Sequence, residues 1–276
     1  MWWRRPGWDI GDACAGSLRP RADVEPGGAG GVRRLLPERR ADLGENQTTG
    51  WVPTVPFDFE DAVEFAENPE PRCPCVLLLD TSGSMDGKPI QALREGIEAF
   101  RYDVLLDPVS TRRVEVAVVT FDTHVHVVQH FVQPDRMEPP ALAASGQTRM
   151  AAGIQAALDL VEARKADYRA HDVAYYRPWV FMITDGEPQG EPPEQVREAA
   201  RRLQAAEAEK RVAFFAVGVE GANLRRLAEI SVRAPLKLRG LDFRELFVWL
   251  SRSMQSVAHS RPEDRIALPP AGWAEI

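Results

Sequence analysis

Hydrophobic positions along this chain change their period several times, and the changes mark out its elements. After Cys75 the run Val76-Leu77-Leu78-Leu79 is continuously apolar and ends in Asp80. A run without polar alternation reads as a strand buried on both faces. Residues 88–106 switch to helical spacing, with Ile90, Leu93, Ile97, Phe100 and Val104 on one stripe. Arg113 to Phe121 reads as a second buried strand, and His124 to Phe131 as a third, hairpin-linked to it. Met150 to Ala163 is helical, with Ile154, Ala157, Leu158 and Val161 on one face. Trp179 to Thr184 is another buried strand, again followed by an acid, Asp185. A helix over 193–209, a strand over 211–219, a short helix at 223–230, a strand at 236–238 and a closing helix over 242–259 complete the pattern. Alternating strands and helices predict an α/β fold: a Rossmann-like, doubly wound, mostly parallel sheet flanked by helices. Such sheets bind ligands at the carboxyl ends of their strands, where both strand-terminal acids fall.

The pattern divides the chain into four parts. Residues 1–50 hold no sustained period, and Pro26 precedes two glycine pairs, Gly27-Gly28 and Gly30-Gly31. A stretch of that composition cannot bury enough apolar surface to offset its ordering entropy, so it reads as a disordered extension. Residues 51–73 are acidic and proline-punctuated, a lead-in that packs on the domain edge. The domain itself spans 74–260, and 261–276 reads as a C-terminal tail.

Composition narrows the function. With 44% hydrophobic and 27% charged residues, the chain lies in the ordinary globular range. A formal net charge of −7 argues against nucleic-acid or membrane-surface binding. Only four of the 34 basic residues are lysine, a bias that fits GC-rich coding better than a phosphate-binding surface. Cys73 and Cys75 flank one proline, so a bond between them would need distorted geometry, and both read as reduced thiols. No apolar run approaches the roughly 18 residues of a membrane span, and residues 1–6 lack a signal peptide's apolar stretch. The expected location is cytoplasmic.

Asp80-Thr81-Ser82-Gly83-Ser84 places a carboxylate and two hydroxyls at alternate positions in a tight turn after a buried strand. Hard oxygen ligands of mixed charge suit Mg²⁺, which keeps several waters. A second loop, Ser145-Gly146-Gln147-Thr148, offers another hydroxyl just before a helix, and Asp185-Gly186-Glu187-Pro188 follows its own strand. Together the three loops resemble the metal-ion-dependent adhesion site of von Willebrand factor A domains, whose pattern is Asp-x-Ser-x-Ser, a loop threonine, then Asp-Gly. The matching positions are Asp80, Ser82, Ser84, Thr148 and Asp185, none substituted. The resemblance covers about residues 74–260. It implies a non-catalytic interaction module that holds one Mg²⁺ (or Mn²⁺ or Ca²⁺) and leaves one coordination position for an Asp or Glu from a partner protein. The segments at 68–74, 176–179 and 243–251 are similar to the bacterial tellurite-resistance-associated, TerY-like group. That similarity implies a stress-response assembly with kinase-like or phosphatase-like partners.

Other chemistries fit less well. Asp-x-Ser-x-Ser could be only a capped turn, and Asp-Gly only a turn pair. The stretch from Gly83 fails as a phosphate loop because three residues, not four, separate its glycines, and Pro89 follows Lys88. A Mg²⁺-dependent phosphohydrolase would use Asp80 as nucleophile, but Ser82 stands where its second aspartate is expected. Service as a client-recruiting subunit of an AAA-type ATPase is a third reading. His124, His126 and His130 share strand parity, which suggests zinc, although no fourth ligand is evident and a solvated face accounts for them.

Overall fold

The computed structural model describes residues 64–275. Its seven-stranded sheet contains β1 (Cys73–Asp80), β2 (Val114–Phe121), β3 (Val125–Val132), β4 (Trp179–Thr184), β5 (Ala213–Gly218), β6 (Leu236–Leu238) and β7 (Ala274–Glu275). The order across the sheet is β3-β2-β1-β4-β5-β6-β7. The five inner strands run parallel, and β3 and β7 close the two edges antiparallel. The chain reverses its direction of growth between β1 and β4, the switch point at which open α/β sheets form their crevice.

Helices α1 (Lys88–Leu105), α2 (Pro108–Arg113), α3 (Met150–Ala170), α4 (Pro193–Ala208), α5 (Leu224–Ile230) and α6 (Phe243–Ala258) fill the connections. Strand parity divides the core into two layers, because successive side chains point to opposite faces. Leu77, Leu79, Phe181, Ile183, Phe215 and Val217 face α1 and α6. Val76, Leu78, Val180, Met182 and Phe214 face α3, α4 and α5. Every residue of β1, β2, β4 and β5 is buried, as a sheet covered on both sides requires.

The expected fold class is therefore the observed one, and the principal elements start and stop within a few residues of the predicted bounds. The differences are local. Helix α3 runs to Ala170, seven residues beyond the apolar pattern, and buries Arg164, Lys165 and Tyr168 in its last turns. The six-residue α2 was not anticipated; Asp107 caps it by accepting from the Ser110 amide at 3.1 Å. Residues 64–67 form a helical turn in the lead-in, and Phe65 packs with Tyr168 and Val173. In the segment read as a tail, β7 pairs Glu275 with Lys237 and Ala274 with Leu238. The expectation for residues 1–50 lies outside the described residues.

On β3 the register shifts twice, and Val127, Val128, His126 and His130 are exposed, as is His124 just before the strand. This matches the solvated-face reading of those histidines. Bulges twist an edge strand away from flat pairing with another chain. Cys73 and Cys75 are buried, and burial pushes the Cys75 thiol up to about 12. Among the described residues no helix is long and apolar enough to cross a membrane.

Candidate functional site

Asp80 is the last residue of β1 and is fully buried. Its Oδ1 accepts the Ser82 amide at 2.8 Å, folding the chain back on itself immediately after the strand. Its Oδ2 accepts the hydroxyl of Thr184, the last residue of β4, at 2.5 Å. The same hydroxyl accepts the Gly186 amide at 3.1 Å and so ties Asp80 to the turn that follows β4. No basic side chain among the described residues pairs with Asp80. Burial raises its carboxyl to about 6, against hydrogen bonds from Ser82 and Thr184 that favour the ion, and the neighbouring Asp185 pushes it up as well.

Downstream of Asp80 the loop turns through a short 3₁₀ segment, Gly83–Met85, whose Met85 is buried under the α1 layer. That anchor leaves Ser84 facing outward. Ser84 Oγ lies 3.1 Å from Ser82 Oγ and donates to Asp185 Oδ1 at 2.8 Å. Asp185 is half-buried, and desolvation raises its carboxyl above the ordinary range.

Thr148 is buried one residue before the N-cap of α3. A methyl placed on Gly186 would sit 3.1 Å from Thr148 Oγ1 and 3.6 Å from Asp80 Oδ2, so both oxygens face the same narrow cleft. Gly146 in the same loop has φ +75°, and a Cβ there would meet Thr123 Oγ1 at 2.2 Å, so both backbone and space require glycine.

The three loops hold one another by backbone bonds. Ser145 N–H donates to Thr81 O at 2.8 Å and Gly83 N–H to Gly146 O at 3.1 Å, joining the first loop to the second. Gln189 N–H donates to Thr148 O at 2.9 Å, joining the third to the second. Asp80, Ser82, Ser84, Thr148 and Asp185 thus converge at the carboxyl ends of β1 and β4. Two partners of these five, Thr184 and Gln189, had no sequence signal, nor had Thr123 and Glu191, which hold the amides of Gln147 and of Ala151 and Ala152 in the adjoining segment. Each acts through a backbone group or a residue distant in sequence. The exposed rim includes Gln147, Gln189 and Glu187, and Glu187 accepts from Asn223 Nδ2 at 2.6 Å.

Two carboxylates and three hydroxyls form a hard, all-oxygen donor set. Among the described residues no three His, Cys, Asp or Glu side chains come together as a metal cluster, so nitrogen- or sulfur-rich coordination has no support here. A buried carboxylate lacking a cation, next to a second one and three convergent hydroxyls, fits a small divalent ion.

Fold and cleft together define a doubly wound α/β domain with a cleft of oxygen-bearing side chains at its switch point. The model of the von Willebrand factor type A domain matches residues 75–237, more than half of the chain, and the chain belongs to that family. No curated protein matches it. Among solved structures, it is similar to a von Willebrand factor type A protein from Catenulispora acidiphila, at 19% identity and TM-score 0.54, over 67% of this chain and 43% of that one. A point mutant of the PilB minor pilin from Streptococcus sanguinis is similar at 12% identity and TM-score 0.50, over 67% of this chain and 62% of the pilin. These likenesses show the fold alone, and the aligned region spans less than two thirds of either relative.

Proposed function

We propose that this chain is a non-catalytic interaction module that holds one Mg²⁺ and recruits a partner protein through it. The observation that carries the reading is Asp80, a fully buried carboxylate with no cationic side chain beside it among the described residues, whose neighbours are hydroxyls and a second acid. Leaving a charge so placed is costly unless an ion compensates it. Asp80 and Asp185 would offset the formal charge of Mg²⁺, and Ser82, Ser84 and Thr148 would supply neutral oxygen. An ion held by few anionic ligands stays electrophilic and attracts one more carboxylate, here an Asp or Glu of the partner. Mn²⁺ and Ca²⁺ are the other hard ions this set would accept.

The cytoplasmic stress-response setting, with kinase-like or phosphatase-like partners, rests only on the similarity of segments 68–74, 176–179 and 243–251 to the tellurite-resistance-associated group. It belongs to the proposal as its most specific part.

Calorimetric titration of the full chain with Mg²⁺, wild type beside Asp80→Ala, tests the metal. Saturable binding is expected in the first and none in the second, with both folded. Pull-down from a bacterial extract in Mg²⁺ and in EDTA then tests the interaction. A partner retained in EDTA, or equally by Asp80→Ala, would show that binding uses another face.

A further inference from the structure

Helix α3 begins without a cap of its own. Its N-cap residue is Arg149, whose side chain makes no capping bond, although the first amides of any helix lack intrahelical partners. The missing acceptor comes from the loop after β4. Glu191 Oε2 accepts the Ala151 amide and Oε1 accepts the Ala152 amide, each at 2.8 Å. A bidentate carboxylate on two helix-terminal amides is a charge-assisted arrangement that the helix dipole also favours.

Its position gives this contact a further consequence. Thr148 lies directly before Arg149, and its hydroxyl is a natural competitor for the Ala151 amide three residues on, since Ser and Thr side chains readily bond the backbone N–H groups at a helix start. With Glu191 on both amides, the Thr148 hydroxyl has no hydrogen bond to any described residue. Glu191 also lies six residues after Asp185 on a loop whose Gln189 amide already holds Thr148 O at 2.9 Å. The threonine loop and the aspartate loop are therefore clamped at two points.

We propose that Glu191 is a positioning residue for the metal site: it caps α3 from the opposite loop, which leaves Thr148 Oγ1 free for the ion and fixes Thr148 relative to Asp185. The inference rests on the metal-site reading above and adds a residue that never touches the ion. Outer groups that orient ligands typically change metal affinity by about 10- to 100-fold when removed.

The experiment uses the full chain with Glu191→Ala and Glu191→Gln, the second retaining one uncharged acceptor. Amide hydrogen exchange in EDTA reads the clamp, and Mg²⁺ titration by calorimetry reads the site. In Glu191→Ala, exchange at Ala151 and Ala152 should quicken by ~10-fold or more, and Mg²⁺ affinity should fall by about 10- to 100-fold. Glu191→Gln should fall between that variant and the wild type on both measurements. Freed amides with Mg²⁺ affinity unchanged would overturn the proposal while leaving the metal site standing. So would a loss of affinity that vanishes at high salt, since that reports only the carboxylate's distant field. A wild-type chain that binds no Mg²⁺, Mn²⁺ or Ca²⁺ would overturn both readings, and the exchange data would then assign Glu191 to helix stability alone.

Discussion

Two acids are buried at opposite ends of the central strands, and their surroundings differ in kind. Glu115, second residue of β2, is fully buried, yet two arginines serve it. Arg72 Nε donates to Oε1 at 2.8 Å, and Arg164 donates to both oxygens at 2.9 and 3.1 Å. The Tyr168 hydroxyl adds a short bond. The remaining N–H groups of Arg72 reach Glu70 O and Asn68 O, and the ring of Phe65 lies against both guanidinium groups. Asp80, at the far end of β1, is just as inaccessible but meets only hydroxyls, an amide and another acid. The amino end of the sheet completes its electrostatics within the chain; the carboxyl end leaves a place for charge from outside. One sheet thus separates a pole that holds the fold from the pole proposed to bind.

The sharpest way to break this contrast is to empty the closed pole. Glu115→Ala strands Arg72 and Arg164 in the interior, and removing one partner of a buried ion pair costs about 3–5 kcal/mol. Chemical denaturation should show a loss of that size, with Mg²⁺ affinity unchanged in whatever fraction remains folded. A loss below about 1 kcal/mol would mean that water already serves the arginines and that this end is not a closed network.

At the other pole the sign reverses. In metal-free protein the Asp80 carboxyl titrates at about 6, against an ordinary value of 3.8. Between those values the folded chain keeps a proton that the unfolded chain has lost. The contribution of Asp80 to stability is therefore fullest below about pH 4 and declines as pH rises through about 6, by an amount on the order of 3 kcal/mol. Asp80→Asn removes the titrating group, so in EDTA near neutral pH it should be more stable than the wild type, and the two should converge in acid. Mg²⁺ needs the carboxylate, so its affinity for the wild type should weaken as pH falls below about 6. Denaturation of both proteins in EDTA across this range measures the difference. A wild type steadier than Asp80→Asn at neutral pH would mean that Asp80 is a structural anion.

The binding pole was far more legible in the sequence than the closed one. Asp80, Ser82, Ser84 and Asp185 lie at the ends of apolar runs and Thr148 in a short loop before a helix, where oxygen-bearing residues stand out. Glu115 carries no such signal, because its partners Arg72, Arg164 and Tyr168 come from distant segments. For the same reason α3 seemed to end at Ala163: periodicity treats an arginine, a lysine and a tyrosine as solvent-facing, whereas all three are buried in its last turns. Helix α2 and β7, six and two residues long, are too short to carry a period. Glu191 left one faint trace, a helix starting after arginine where a capping residue is expected. The fold class followed from apolar spacing, and the polar scaffold did not, since hydrogen bonds between loops leave no period.

The smallest effect on the fold should come from Ser84, which is exposed, yet links Ser82 Oγ at 3.1 Å to Asp185 Oδ1 at 2.8 Å. Replacing it by alanine removes solvent-accessible hydrogen bonds, worth about 1 kcal/mol of stability or less. It also removes one of the three hydroxyls proposed to meet the ion, so Mg²⁺ affinity should fall by at least ~10-fold. Stability and affinity would then be uncoupled at the open pole, whereas Glu115 couples only to stability. Measured together on Ser84→Ala, a large loss of stability with little change in Mg²⁺ binding would reverse that assignment and make the Ser84–Asp185 contact part of the scaffold. A small loss of stability with a large loss of binding would place the boundary between fold and function at the ends of β1 and β4.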